Sequence, residues 1–329
     1  MLQGLRALST QNWRRLKIEL QTYAALRGRA SVRLADFLND QALEIEDVYR
    51  SGTGQGRSGW TALKRDAGLI AAEAGVEEDY FSRRFGHLVH ADDPLRLDTM
   101  AAVGARQQGQ AALSARDALA VQVLAYQIDG RNEQAAGHDV FMARIQANPA
   151  IAAELVELSG LLQARSTLAA SAVPGLEDTP LCMHAAYGAR EVLTAVGWLT
   201  ASRRAPFQAG VLPLTQRKTE LLFVTLDKSE GYHDRIAYHD YAISADRFHW
   251  QTQNSAGPDT PSGRRYLESA SNGWQFQLFV RPRKGDAYRA CGRLTLESAE
   301  GDRPMSMIWK LQTPLPARLF REFSVLRGV

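Results

Sequence analysis

The stretch Ser171-Ala172-Val173-Pro174-Gly175-Leu176-Glu177-Asp178-Thr179-Pro180 divides the sequence into two parts of different character. Its Pro-Gly pair and closing Asp-Thr-Pro are turn formers set between segments with different apolar periods. We place a domain boundary here, giving a helical part over 1–175 and a β-rich part over 176–329. The length of 329 residues suits two domains, at roughly 150 residues each.

Upstream of the boundary, apolar residues recur at helical spacing. Examples are Leu16, Leu20, Tyr23 and Ala24, then Phe81, Phe85 and Leu88, then Val121, Leu124 and Ala125. Pro149 opens a further predicted helix carrying Ile151, Leu155, Leu158 and Leu161. Downstream, Leu221 to Leu226, Phe276 to Val280, Arg289 to Leu296 and Met305 to Leu311 read as strands bounded by Gly, Pro and Asp. One helix is predicted there, from Tyr187 to Leu199, with Val192, Leu193 and Val196 facing inward. Helices first and strands after give an α+β fold, with a mainly antiparallel sheet in the second domain. No fixed-period repeat is visible, which argues against a solenoid.

Composition narrows the class. The chain is 45% hydrophobic and 23% charged, an ordinary globular balance. No apolar run reaches the ~18 residues of a membrane span, and the start Met1-Leu2-Gln3-Gly4-Leu5-Arg6 lacks the apolar core of a signal peptide. Two cysteines, Cys182 and Cys291, make no disulfide framework, and His184 near Cys182 finds no partners at zinc spacing. A cytoplasmic protein without cofactor is the expectation. The net charge of +3 hides an asymmetry. From Pro180 onward there are 20 Lys and Arg against 14 Asp and Glu, and before it 19 against 22. Sixteen of the 20 later cations are Arg, whose planar fork suits phosphates and guanine edges.

Catalytic signatures are missing from the sequence. Gly52-Thr53-Gly54-Gln55-Gly56-Arg57-Ser58-Gly59 reads as a flexible loop before a helix, but it has no Lys-Ser/Thr and no preceding strand, so it is not a phosphate cradle. No acidic helicase box, Gly-x-Ser-x-Gly elbow or His-x-Lys pair occurs. Two clusters carry other chemistry. His239, Asp240 and His249 could supply three metal donors, with Asp234 and Asp246 on either side. Strand alternation at Tyr238 and His239 offers the plainer alternative. The second cluster is aromatic and amide-rich. Asp240, Tyr241, Trp250, Gln251 and Gln253 combine flat π faces with groups able to read a base edge. Lys228, Arg264, Arg265, Arg281 and Arg283 are the candidate phosphate contacts. Against this, Phe248 and Trp250 would share one strand face, as core residues do.

Seven blocks follow in order through the second half. They are Asp178-Thr179-Pro180-Leu181, Tyr187-Gly188-Ala189-Arg190-Glu191-Val192-Leu193, Phe223-Val224-Thr225-Leu226-Asp227-Lys228-Ser229, Tyr238-His239-Asp240-Tyr241-Ala242-Ile243-Ser244, Phe248-His249-Trp250-Gln251-Thr252-Gln253, Leu278-Phe279-Val280-Arg281 and Arg303-Pro304-Met305. This succession resembles the uncharacterised domain at the C-terminus of bacterial superfamily-2 helicases that carry a phospholipase-D-type nuclease. It is also similar to the target-recognition region of restriction enzymes that cleave 5-methylcytosine DNA. Upstream, Glu46-Asp47-Val48-Tyr49-Arg50 and Gly59-Trp60-Thr61-Ala62-Leu63-Lys64 are similar to the helical segment joining motor to recognition domain. The resemblance implies a helical coupler followed by a base-flipping, SRA/PUA-like recognition domain. Its implied partners are double-stranded DNA and a helicase-nuclease, in cis or in trans, within a restriction system for phage defence. The motor and nuclease of that family are missing from this sequence. A metal-dependent nuclease around His239, Asp240 and His249, and a protein-interaction module without DNA specificity, are the alternatives.

The expected outcome is that the pure chain neither hydrolyses ATP nor cuts DNA. Phosphate release and nicking assays, with and without DNA and divalent metal, check this; robust DNA-stimulated ATPase activity would overturn it.

Overall fold

A computed structural model describes residues 2–29, 32–49, 57–106, 112–130, 137–200, 203, 210–227 and 240–324. The fold is α+β and separates into two compact units. The first comprises Met1–Ala169 together with Arg190–Arg204, and the second Ala170–Ala189 with Ala205–Val329.

The first unit is helical. Its elements are α1 (Leu2–Arg27), α2 (Leu34–Asp40), α3 (Ile45–Val48), α4 (Trp60–Asp66), α5 (Glu78–Ser82), α6 (Pro94–Ala105), α7 (Ala115–Asp129), α8 (His138–Gln146) and α9 (Pro149–Arg165). Local chemistry sets several boundaries. Asp93 caps α6 by accepting the Arg96 N–H at 2.8 Å, and Ser114 caps α7. Proline occupies the first turn of α6 and α9, where its missing N–H costs nothing. Phe37, Trp60, Phe81, Phe85, Phe141, Leu155 and Leu158 are buried in one core.

Two buried carboxylates tie this unit together. Glu154 on α9 is fully buried; its Oε1 accepts the N–H of Trp60 at 2.9 Å and its Oε2 that of Thr61 at 2.8 Å. The first turn of α4, just after the glycine-rich loop, therefore has an anion already seated on its free N–H groups. Burial raises the Glu154 carboxyl above its ordinary range, and the donors from Thr61 and Trp60 oppose that shift. Gly59 enters α4 at φ +97°, and a Cβ there would stand 2.4 Å from Ser82 Oγ, so only glycine fits. Residues 51–56 of that loop lie outside the described residues.

The second carboxylate comes from α10 (Ala189–Ala195). Glu191 is fully buried; Arg96 Nη1 donates to its Oε1 at 2.7 Å, and His90 Nε2 lies 2.6 Å from its Oε2. Arg96 Nε is also 3.0 Å from Asp93 Oδ2. Burial pulls the Glu191 carboxyl up, but Arg96 and then His90 outweigh it and hold it down to about 2.

The second unit is built on β1 (Ala186–Tyr187), β2 (Val211–Leu214), β3 (Thr219–Asp227), β4 (Tyr241–Ser244), β5 (Arg247–Gln251), β6 (Gln275–Arg283), β7 (Tyr288–Gly301) and β8 (Met305–Leu311). The strand order is β2-β3-β6-β7-β8-β5-β4, with β1 on β7. Among the described strands only β3 and β6 pair in parallel; the other pairings, such as β6 with β7 and β5 with β8, are antiparallel. Two short helices, α11 (Pro261–Leu267) and α12 (Ala317–Phe323), bury Tyr266, Leu319 and Phe323 in the core that holds Phe248, Trp250, Phe276 and Trp309. Among the described residues no helix is long and apolar enough to cross a membrane.

The helix predicted from Tyr187 to Leu199 differs from the structure. Tyr187 is in strand β1, where its hydroxyl accepts the Cys182 N–H at 2.8 Å. Gly188 then separates strand from helix, and Gly197 at φ +73° lies just past its end.

The lowered Glu191 carboxyl makes stability depend on pH. Its folded value of about 2 lies below the ordinary 4.5. Its contribution to stability is therefore fully present above pH 4.5 and lost as pH falls towards 2. Glu191→Gln should remove roughly 3 kcal/mol of acid-sensitive stability. Urea midpoints of both proteins at pH 7 and about pH 3 measure this; the gap between them should shrink in acid.

Candidate nucleic-acid interface

Strand alternation decides which residues of the aromatic cluster face outward. On β5, Phe248 and Trp250 are buried while Arg247, His249 and Gln251 are half-exposed. Trp250 meets Tyr266 edge-on at 5.5 Å in the core. The sequence reading that offers Trp250 to a stacked base is therefore corrected: its ring is consumed by packing. Tyr241 on β4 is the cross-strand partner of His249, and the two rings stack at 5.1 Å and 21°. His249 Nε2 lies 2.9 Å from Ser306 Oγ on β8, and Gln251 Nε2 donates to the same oxygen at 3.4 Å. Asp240 is buried, its Oδ1 accepting the Gln251 N–H at 2.9 Å, so it fixes the strand end. Gln253 is exposed just beyond β5. The result is a half-exposed π wall of Tyr241 and His249 with Gln251 and Ser306 beside it.

This wall is not strongly cationic. Arg247 pairs with Glu297 and Asp246, and Lys310 stands across from it on β8. Among the described residues no three His, Cys, Asp or Glu side chains converge as a metal-binding group. His239, one of the three donors of that reading, lies outside the described residues, as do the flanking Asp234 and the phosphate candidate Lys228.

The candidate phosphate contacts separate into two places. Arg264 and Arg265 are on α11. Arg265 Nε donates to the fully buried Glu220 at 2.5 Å, and its guanidinium lies 4.6 Å from the Trp274 ring. Tyr266 donates to the other Glu220 oxygen at 2.6 Å, and burial with that carboxylate raises its phenol well above its ordinary value. Arg265 thus neutralises a buried charge and is corrected from phosphate contact to structural partner; Arg264 remains exposed.

The second place is the β6–β7 hairpin. Arg281 Nε donates to Thr225 Oγ1 at 2.8 Å, with its guanidinium 4.4 Å over the Tyr288 ring. Arg283 and Lys284 are exposed at the turn, and Asp286 accepts the Arg283 N–H at 3.1 Å. From Arg281 to Arg289 the chain carries four cations and one acid. Lys284 and Arg289 escaped the sequence reading, although the run Arg283-Lys284-Gly285 is a visible signal of a cationic turn.

The wall and the hairpin lie far apart on one sheet. His249 pairs with Ile308, which pairs with Ser298 of β7, ten residues beyond Tyr288. At 3.3 Å per residue that is roughly 30 Å along the strand.

A family model described as a domain of unknown function (DUF3427) matches residues 181–323. That span runs from β1 through α10 and on to α12. Comparison with curated proteins gave no match.

Tyr241 and Trp250 should respond differently to substitution. Trp250→Ala should destabilise the sheet unit by about 3–5 kcal/mol, whereas half-exposed Tyr241→Ala should change its stability by less than about 1 kcal/mol. Urea unfolding of each variant checks this; equal losses would move Tyr241 into the core.

Proposed function

We propose that the sheet unit is a DNA-recognition module serving an ATP-driven helicase-nuclease of a restriction system, and that it reads 5-methylcytosine. The single observation that carries DNA binding is the β6–β7 hairpin. The side-chain charges of its Arg281, Arg283 and Lys284 form no ion pair among the described residues, Asp286 taking only the backbone N–H of Arg283. Cations concentrated on one exposed turn can release the counterions of a phosphate backbone. The in-order motif blocks support the helicase and restriction assignment, and the match over residues 181–323 covers the same region.

The base-reading role falls to Tyr241, His249, Gln251 and Gln253. Stacking on one aromatic is worth roughly 1–3 kcal/mol, and an amide meeting a base edge adds discrimination. A wall with little net positive charge suits a base extruded away from its phosphates. The spacing of roughly 30 Å between wall and hairpin corresponds to about nine base pairs of duplex. A methyl group in an apolar site contributes only about 0.8 kcal/mol, or roughly four-fold in affinity. Preference for methylated DNA is therefore modest unless shape excludes the unmodified base.

Replacing Arg281 and Arg283 together by Ala should weaken binding to every duplex sequence and flatten the log–log salt dependence by up to about 2. Tyr241→Ala should leave that slope intact and remove preference for the methylated member of matched duplexes. Fluorescence anisotropy across a salt series, with duplexes shorter and longer than about nine base pairs, reads both effects. An unchanged slope in the double variant would place the phosphate contacts elsewhere.

A further inference from the structure

The segment Arg190–Arg204 lies within the matched span of 181–323 yet belongs to the helical unit. The chain leaves the sheet unit at Ala189, contributes α10 to the helical unit, and returns at Ala205. What precedes α10 is bound to the stem of the cationic hairpin. Ala186 and Tyr187 are the ladder partners of Arg289 and Tyr288, and Tyr288 is the ring beneath Arg281. His184 N–H donates to the Ala290 carbonyl at 2.8 Å, and the Ala290 N–H donates to the Ala185 carbonyl at 3.0 Å. Arg289 Nη1 donates to the His184 carbonyl at 3.3 Å. His184 itself sits at φ +61°, a left-handed conformation costly for any residue with a Cβ, and among the described residues its buried Nε2 has no hydrogen-bond partner. Gly188 alone then separates β1 from α10.

The far end of this path is held firmly. Glu191 is fully buried against Arg96 and His90, with Asp93 behind Arg96. A buried ion cluster does not loosen by degrees, because parting one member strands an uncompensated charge. We infer that α10 is a relay: a hairpin engaged by phosphate pulls or relaxes β1, and Glu191 carries that displacement into the helical unit. The inference rests on the reading of the hairpin as a phosphate site. It adds the route by which occupancy of the sheet unit reaches the helices. The strained, unsatisfied His184 at the hairpin stem is where the linkage has strain to release. Gly188 is where slack would cut it.

The test is hydrogen exchange on the full chain, with and without a duplex longer than the span of about nine base pairs. In the wild-type protein, DNA should change exchange of residues 189–199 and of the amides around His90 and Arg96 by at least about two-fold. Glu191→Gln should raise basal exchange of 189–199 by about ten-fold or more, abolish the DNA response around His90, and keep DNA affinity within about two-fold. Insertion of two glycines after Gly188 leaves the ion cluster whole and adds only slack. It should abolish the DNA response while basal exchange stays at the wild-type level, which separates a lost relay from an unfolded helix. DNA that binds with normal salt dependence but changes neither segment overturns the relay alone. A persistent response in the glycine insertion also overturns it. Absence of salt-dependent binding overturns the hairpin reading and the relay with it.

Discussion

A carboxylate taken out of water has to be met by donors, or it is protonated or expelled. Among the described residues three glutamates are fully buried, and each is met in a way that positions something else. Glu154 takes the first N–H groups of α4 and so fixes α4 on α9. Glu191 brings α10 to Arg96 and His90. Glu220 on β3 holds Arg265 and Tyr266 of α11, setting that helix over the sheet. Such pairs add little net stability compared with apolar packing of the same volume. Their effect is on placement: moving one of these helices away would leave a buried charge without its donors.

The same constraint explains which parts of the fold were legible in the sequence. The helical periods before the boundary, the start of α9 at Pro149 and the strands β3, β6, β7 and β8 follow from local pattern and turn chemistry. Trp250 could be ranked only with its strand in place, since alternation on β5 buries it and turns His249 outward. Arg265 looked like a phosphate contact because its sequence neighbours are Gly263, Arg264 and Tyr266; its partner Glu220 lies 45 positions away. α10 was legible as a helix, but nothing in its spacing announces that Glu191 ends in the helical unit. Tertiary charge pairing is what the local reading missed.

The aromatic wall and the cationic hairpin sit at opposite ends of β7, the longest strand among the described residues. β7 runs 14 residues from the hairpin stem to the edge of the open aromatic face. A compact site would bring phosphate-binding cations close to the carboxylates Asp246, Glu297 and Glu300, where they would be partly neutralised. Arg247 is an example: it faces outward beside the wall but is held by Glu297, which lowers the Glu297 carboxyl. Under the DNA-recognition role proposed above, separation along β7 assigns the hairpin to the phosphate backbone and leaves the wall to discriminate by stacking and hydrogen bonds.

For the proposed DNA-recognition role, that division has an energetic consequence for specificity. Phosphate contacts raise affinity for every sequence alike, so a strong hairpin dilutes whatever preference the wall expresses in total binding. A methyl worth about 0.8 kcal/mol is small beside several neutralised phosphates. Selectivity in such an arrangement is better expressed in a change that follows base engagement than in binding itself. β7 joins the two ends as one hydrogen-bonded strand, and β1 with α10 continues from its hairpin end towards Glu191. In the proposed reading, a base at the wall and a phosphate at the hairpin act on the same strand.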